Sequence, residues 1–452
     1  MRRWSRSSWI AAGWTAMFAM TGAAEDVPGP LPLPDNAPAL SRDVVVVVAG
    51  SSVSVRRYKV HKLPAWTGGP NRVPPQCTNG QNVFFRVFEM LNDHANMRWR
   101  RLPDADWTKS GEWKAYGKLP YRDASPRVSW LATDPDAYAE LVIPAGYEKV
   151  DVLYTSDPNG DELRVTLNGK PPVKGGMIET CQDRSIPPAA ERGPTFETLD
   201  SHGKLRKIRP PKAGIANIVE LRARFRLDPA RKNTIRVQRA TADPDKRVLV
   251  WGAVYWRGYA AQVVQRAKGG INAADLPKYQ AIQEVMAVKP DYVLMEAINI
   301  RATPEGVVRS LDPAYAWCAG QVKKGRFKML VYETPQANSK RFREYFRNPE
   351  HKCYGRIMVN QVTDANADAC HQAVVDLCTK YGFPRVDIGP RVDRYLAENP
   401  GVKLVPHMLN DWYHPNQWGC ALFGREIYEG IRKNWPELPV RPVRMPPPPG
   451  RQ

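Results

Sequence analysis

Metal-ligating and redox spacings are missing from this chain. Its seven cysteines, Cys77, Cys181, Cys318, Cys353, Cys370, Cys378 and Cys420, include no C-x-x-C pair, so no metal site and no cofactor is expected. An odd number of thiols leaves at least one outside any disulfide, and Cys370 and Cys378, on one helical pattern, are expected to pack as small apolar side chains. Acidic residues are in deficit, 46 Asp and Glu against 66 Lys and Arg, a net charge of +20. That balance favours anionic surroundings, a polysaccharide, a cell wall or a membrane surface among them. The cations are scattered instead of forming one stripe, and there is no helix-turn-helix, zinc-finger or ribonucleoprotein signature, so nucleic acid is not the expected partner. Long apolar runs are absent beyond the first residues, which excludes stable membrane insertion elsewhere. The start reads as an export signal: Met1-Arg2-Arg3-Trp4-Ser5-Arg6 is basic, Trp9 to about Met20 is apolar, and Thr21-Gly22-Ala23-Ala24 offers small residues for cleavage. The expected location is outside the cytoplasm, in the periplasm, at the cell surface or beyond it.

What is present begins with Asp411-Trp412-Tyr413-His414-Pro415-Asn416. An Asp three residues before a His at a turn can accept the imidazole Nδ1–H, which fixes the tautomer that a general base needs. A nucleophile is offered far upstream, where Val44-Val45-Val46-Val47-Val48 runs into Ala49-Gly50-Ser51-Ser52. A buried strand that ends in a hydroxyl-bearing turn is where open α/β sheets place their chemistry. Of the remaining histidines, His407 lacks an Asp at that spacing, and His61, His94, His202, His351 and His371 read as packed or solvated.

Four blocks in this order resemble the SGNH or GDSL serine hydrolases. Gly50-Ser51-Ser52 stands where that family has Gly-Asp-Ser, which makes Ser52 the implied nucleophile. Arg266-Ala267-Lys268-Gly269-Gly270-Ile271-Asn272 supplies the glycine block through Gly270, and the apolar run from Tyr292 ends in Asn299 for the third. Asp411 and His414 form the fourth. The resemblance implies a Ser52-His414-Asp411 triad, with an oxyanion hole from the Ser52 and Gly270 backbone N–H groups and the Asn299 amide. Trp412 and Tyr413, between the triad members, are candidates to touch substrate. Ser51 replaces the family's Asp, and Ile300-Arg301 follows Asn299 where an Asp is common, which bears on substrate range.

The fold implied is α/β, a flavodoxin-like three-layer doubly wound parallel sheet, interrupted by an antiparallel β-sandwich or jelly roll. The divisions expected are 1–24 signal, 25–40 Pro-rich linker, 41–99 and 259–436 the two parts of the hydrolase domain, 100–258 the insertion, and 437–452 a Pro-rich tail. Within the insertion, runs such as 137–143, 149–154, 162–169, 219–225, 234–237 and 248–256 alternate like half-buried strands. It resembles carbohydrate-binding modules in outline, and Trp107, Trp113, Trp130 and Trp256 either stack on sugar rings or fill its core. Elsewhere helices are expected at 81–91, 274–288, 364–381 and 416–432, and strands at 328–332 and 385–388.

The activity implied is a serine esterase, with an O-acetyl group on a polysaccharide as the expected substrate. The alternatives are a polysaccharide O-acetyltransferase, a lipid or aryl esterase, and a carbohydrate-binding protein without activity. The oligomeric state is left open.

Overall fold

Five consecutive valines leave a strand no polar face, and the strand they form is covered on both sides. The computed structural model describes residues 38–50, 87, 90–92, 97–102, 106–116, 129–132, 134–156, 160–172, 176–180, 196–199, 205–208, 218–241, 243, 245–265, 285–286, 288–297, 303–349, 364–409, 415 and 417–442. The expected signal, most of the linker and the Pro-rich end from residue 443 lie outside these, as do most of the helices expected at 81–91 and 274–288.

In chain order the strands are β1 (Val44–Ala49), β2 (Arg98–Arg101), β3 (Trp107–Ser110), β4 (Trp113–Tyr116), β5 (Ser129–Ala132), β6 (Tyr138–Ile143), β7 (Lys149–Ser156), β8 (Glu162–Leu167) and β9 (Met177–Glu179). They continue as β10 (Phe196–Leu199), β11 (Leu205–Ile208), β12 (Ile218–Arg226), β13 (Asn233–Arg239), β14 (Val248–Trp256), β15 (Ala261–Gln265), β16 (Tyr292–Ala297), β17 (Lys328–Glu333) and β18 (Arg385–Asp387). The helices are α1 (Pro304–Lys323), α2 (Pro335–Asn338), α3 (Lys340–Arg347), α4 (Asp364–Tyr381), α5 (Gly389–Glu398) and α6 (Gln417–Asn434).

One sheet is wholly parallel, in the order β15-β1-β16-β17-β18. Numbered by appearance within this sheet, the order is 2-1-3-4-5, the flavodoxin-like winding, and the chain changes direction on either side of β1. Val44, Val46 and Val48 join one apolar cluster with α5 and α6, whereas Val47 and Ala49 join another with α1 and α4. Covering on both faces is what an all-apolar parallel strand requires.

Between β1 and β15 lie a two-stranded antiparallel sheet, β10-β11, and two larger ones, β12-β7-β14-β5-β4 with β2 beside β14, and β3-β6-β13-β8-β9. Their facing side chains, among them Leu141, Val152, Val165, Val237 and Val250, form a third core. All nine residues of β14 are buried, because its sheet has apolar neighbours on both faces. Val248, Val250, Ala253 and Tyr255 face the sandwich core, while Leu249, Trp251, Val254 and Trp256 face the parallel-sheet cluster. The change of parity occurs at a bulge between Val250 and Gly252, where Gly252 has φ 143°, a conformation open to glycine and strained for other residues.

The sandwich also covers the outer edge of the parallel sheet. Arg222 on β12 donates to the Val263 carbonyl at 3.3 Å, and the Asn92 side chain accepts the Ala261 N–H at 3.0 Å. Both satisfy groups that an edge strand would otherwise expose. Trp107, Trp113 and Trp256 are buried at 3%, 9% and 0% exposure, so these three belong to the core and cannot stack on sugar. No helix among the described residues is long and apolar enough to cross a membrane.

Candidate functional site

The candidate residues themselves, Ser52, Gly270, Asn299, Asp411, Trp412, Tyr413 and His414, lie outside the described residues. Their stems do not. β15, β1 and β16 are neighbours in the sheet and run the same way, with Val48 beside Gln265 and Ala49 beside Met295. The three strands therefore end on one edge. Ser52 follows the end of β1 by three residues, Gly270 the end of β15 by five, and Asn299 the end of β16 by two. In doubly wound sheets this edge, at the point where the winding reverses, is where ligands bind.

The stems of the fourth block reach the same edge. α6 finishes near the amino ends of the strands, because Glu437 just beyond it pairs with Lys328 and accepts the Tyr292 hydroxyl at 2.7 Å. A helix of 18 residues is about 27 Å long, more than the height of a six-residue strand, so α6 begins at the carboxyl edge. Leu409 and Pro415, the described residues on either side of 410–414, pair as an antiparallel bridge. Ahead of it a π-helical turn, Leu404–Met408, is closed by the Leu409 N–H on the Leu404 carbonyl at 2.8 Å. Met408 and Leu409 are wholly buried in the cluster that also holds Val48. Gly419 completes the anchor, because a Cβ there would overlap the Met408 carbonyl oxygen and press on Pro415.

Sequence reasoning passed over a second constellation on this edge. Glu333, the last residue of β17, is fully buried and receives the His371 Nδ1–H at 2.8 Å. Arg385 lies 3.3 Å from the same carboxylate oxygen, and Asp387 stands 3.6 Å from His371 Nε2. Burial raises the Glu333 carboxyl above its ordinary range, and the hydrogen bond to Glu333 raises the His371 imidazole. The readable signal was an acidic residue closing an apolar strand, as in Lys328-Met329-Leu330-Val331-Tyr332-Glu333. His407 plays a local part, its Nδ1 accepting the Lys403 N–H at 2.9 Å.

Cys318, Cys370, Cys378 and Cys420 are buried thiols. Burial pushes the Cys370 thiol up to about 11 and the Cys378 thiol up to about 12, so neither is a thiolate nucleophile at neutral pH. No cluster of metal ligands occurs among the described residues.

No protein-family model matches the chain. No curated protein matches it by sequence either. Solved structures resemble it at a distance. A Slackia heliotrinireducens protein assigned to the SGNH hydrolases shares 16% identity and a TM-score of 0.29 over 38% of this chain and 85% of that one. A family two carbohydrate esterase from Cellvibrio japonicus shares 8% identity and a TM-score of 0.25 over 75% and 97%. The acetyl xylan esterase AlAXEase shares 15% identity and a TM-score of 0.28 over 38% and 81%. At these values the likeness transfers no residue role and no substrate.

Proposed function

We propose that the chain is an exported SGNH-type serine esterase that removes O-acetyl groups from a polysaccharide. The observation that carries the reading is the convergence of strand ends: the serine, glycine and asparagine blocks each continue from one of three adjacent parallel strands, at one edge. In this reading the Ser52 hydroxyl attacks the acetyl carbonyl as its proton passes to His414. Asp411 holds the imidazolium in place. The oxyanion is met by the Ser52 and Gly270 N–H groups and by the Asn299 amide, and collapse releases the sugar hydroxyl with the proton from His414. Water then cleaves the acyl-enzyme by the reverse route and releases acetate. The net positive charge favours polymers bearing carboxylates or phosphates among acetylated candidates. The sandwich, under this reading, is an inserted wall that shapes the cleft, because its tryptophans Trp107, Trp113 and Trp256 serve the core.

Hydrolysis of p-nitrophenyl acetate, and acetate release from a panel of acetylated xylan, mannan and cell-wall glycan, test the reading. Asn299→Ala should lower kcat by about 10²–10³ with little change in KM. Equal rates in variant and parent, or no acetate from any polymer, would contradict it. Gly419→Ala should lower kcat on the order of 10², because displacing the anchor of segment 410–414 from Met408 by about 1 Å is enough to misalign a proton relay. Circular dichroism should show the helical content of the parent, and an unchanged kcat would remove Gly419 from the account.

A further inference from the structure

The Glu333 constellation lies next to the candidate site but takes no part in the reaction above. In the sheet Glu333 pairs with Ala297, two residues before Asn299. Among the described residues, two elements bring charges to it: His371 from α4, and Arg385 and Asp387 from β18. α2 contributes Asn338, whose amide donates to Asp387. α1 contributes the buried Tyr315 phenol and Cys318 thiol beside Cys378, and Glu305 lies toward Cys370. Burial raises the phenol and all three thiols, so none of them carries charge at neutral pH. With Glu333 and Asp387 ionised, the formal charges of these groups cancel when His371 is an imidazolium, two cations against two carboxylates. Loss of that proton leaves two carboxylates facing one guanidinium, with Glu333 at 0% exposure, an arrangement that buried charge does not tolerate.

We propose that Glu333 and His371 form a proton-operated clamp that holds α4 against the carboxyl ends of β17 and β18 and thereby positions the neighbouring end of β16. The positioning part rests on the esterase reading; the clamp itself does not. His371 and Glu333 are positioning residues, acting through the strand ends and not on substrate. Both groups have raised proton affinity in the folded chain. The His371 contribution to stability is therefore complete below its unfolded pKa, near 6.5, and is lost as pH rises through the higher folded value. That of Glu333 has the same sign, complete below about 4.3 and lost through its own raised value.

The test is the Tm of the full chain at intervals from about pH 5.5 to 9, for the parent and for His371→Gln. The parent should lose about 2–4 °C more than the variant as pH rises across the imidazole range. Superimposable profiles would overturn the clamp. Should His371→Gln fail to fold, the His371 Cε1–H resonance of the parent decides: a midpoint above 6.5 supports the clamp and one at or below it refutes it. On p-nitrophenyl acetate, His371→Gln should lower kcat several-fold at pH 6 at constant KM and converge on the parent near pH 9. A chain without esterase activity but with the shifted Tm profile would sink the esterase reading and keep the clamp. An active chain whose Tm profile ignores the substitution would do the reverse.

Discussion

Replacing Ser52 by Ala should reduce hydrolysis of p-nitrophenyl acetate by a factor on the order of 10⁶, with a residue of about 10³–10⁴ over water left by oxyanion stabilisation and binding. The size follows from the role: without the hydroxyl there is no acyl-enzyme, and the remaining triad members have nothing to act on. Ser51→Ala is the matched control. The two hydroxyls are adjacent after β1, and the account gives Ser51 no part in bond making, so its loss should change kcat by less than about tenfold. A reversed pattern would move the nucleophile by one residue, and equal loss in both would point to a damaged turn. The comparison is a direct kinetic one, with CD spectra to show that all three proteins are folded.

Asp43→Ala should cost about 2–4 kcal/mol and separate the unfolding of the sandwich from that of the parallel sheet. Asp43 immediately precedes β1 and accepts from four donors: Lys149 Nζ at 3.0 Å, Arg224 at 2.8 Å, the Trp256 indole at 3.1 Å and the Ala260 N–H at 2.9 Å. Lys149 and Arg224 belong to the sandwich, Arg224 also holding Asp151 through two bonds and lying over the Trp256 ring. One carboxylate thus ties three strands of the sandwich, β7, β12 and β14, to the starts of β1 and β15. Breaking a buried pair typically costs about 3–5 kcal/mol, and the lower figure applies here because Arg224 is 39% exposed and water can take up part of its charge. Urea unfolding followed by tryptophan fluorescence and near-UV CD should give one transition in the parent and two in the variant. Asp43→Asn retains an acceptor for the Ala260 N–H and should fall between them. A variant as stable as the parent would show that apolar burial alone joins the two units.

The strands and long helices whose periodicity matches their burial were legible in the sequence. β1, β16 and β17 are apolar runs covered on both faces, and α4 buries Ala367, Cys370, Val374, Leu377 and Cys378 at helical spacing. α1 was missed. Pro313 sits inside it and reads as a break, although Pro304 and the Thr303 cap, which accepts the Gly306 N–H at 3.1 Å, start the helix well. α2, α3 and α5 were also missed; α2 begins at Pro335 and α5 carries Pro390 in its first turn, where a proline is compatible with a helix start but also marks a break. Strand alternation located β6, β7, β8, β12, β13 and β14 but said nothing of which face is dry, and in β14 both faces are. That is why sugar stacking by Trp256 remained open until its neighbours were known. His371 and Glu333 are 38 residues apart, and no local spacing announces a pair that only the docking of α4 on β17 creates. The stems of the serine, glycine and asparagine blocks were legible for the opposite reason: each block follows a strand end, so their chain order already encodes neighbouring strands.

The most direct measurement is active-site labelling with diethyl p-nitrophenyl phosphate, followed by peptide mapping by mass spectrometry. A serine nucleophile activated by a histidine displaces p-nitrophenolate and keeps the diethyl phosphoryl group. The account predicts one phosphorylated residue, Ser52, with activity lost in step and no labelling after His414→Ala. Stoichiometric labelling of any other residue, or full inactivation with Ser52 unmodified, would contradict it.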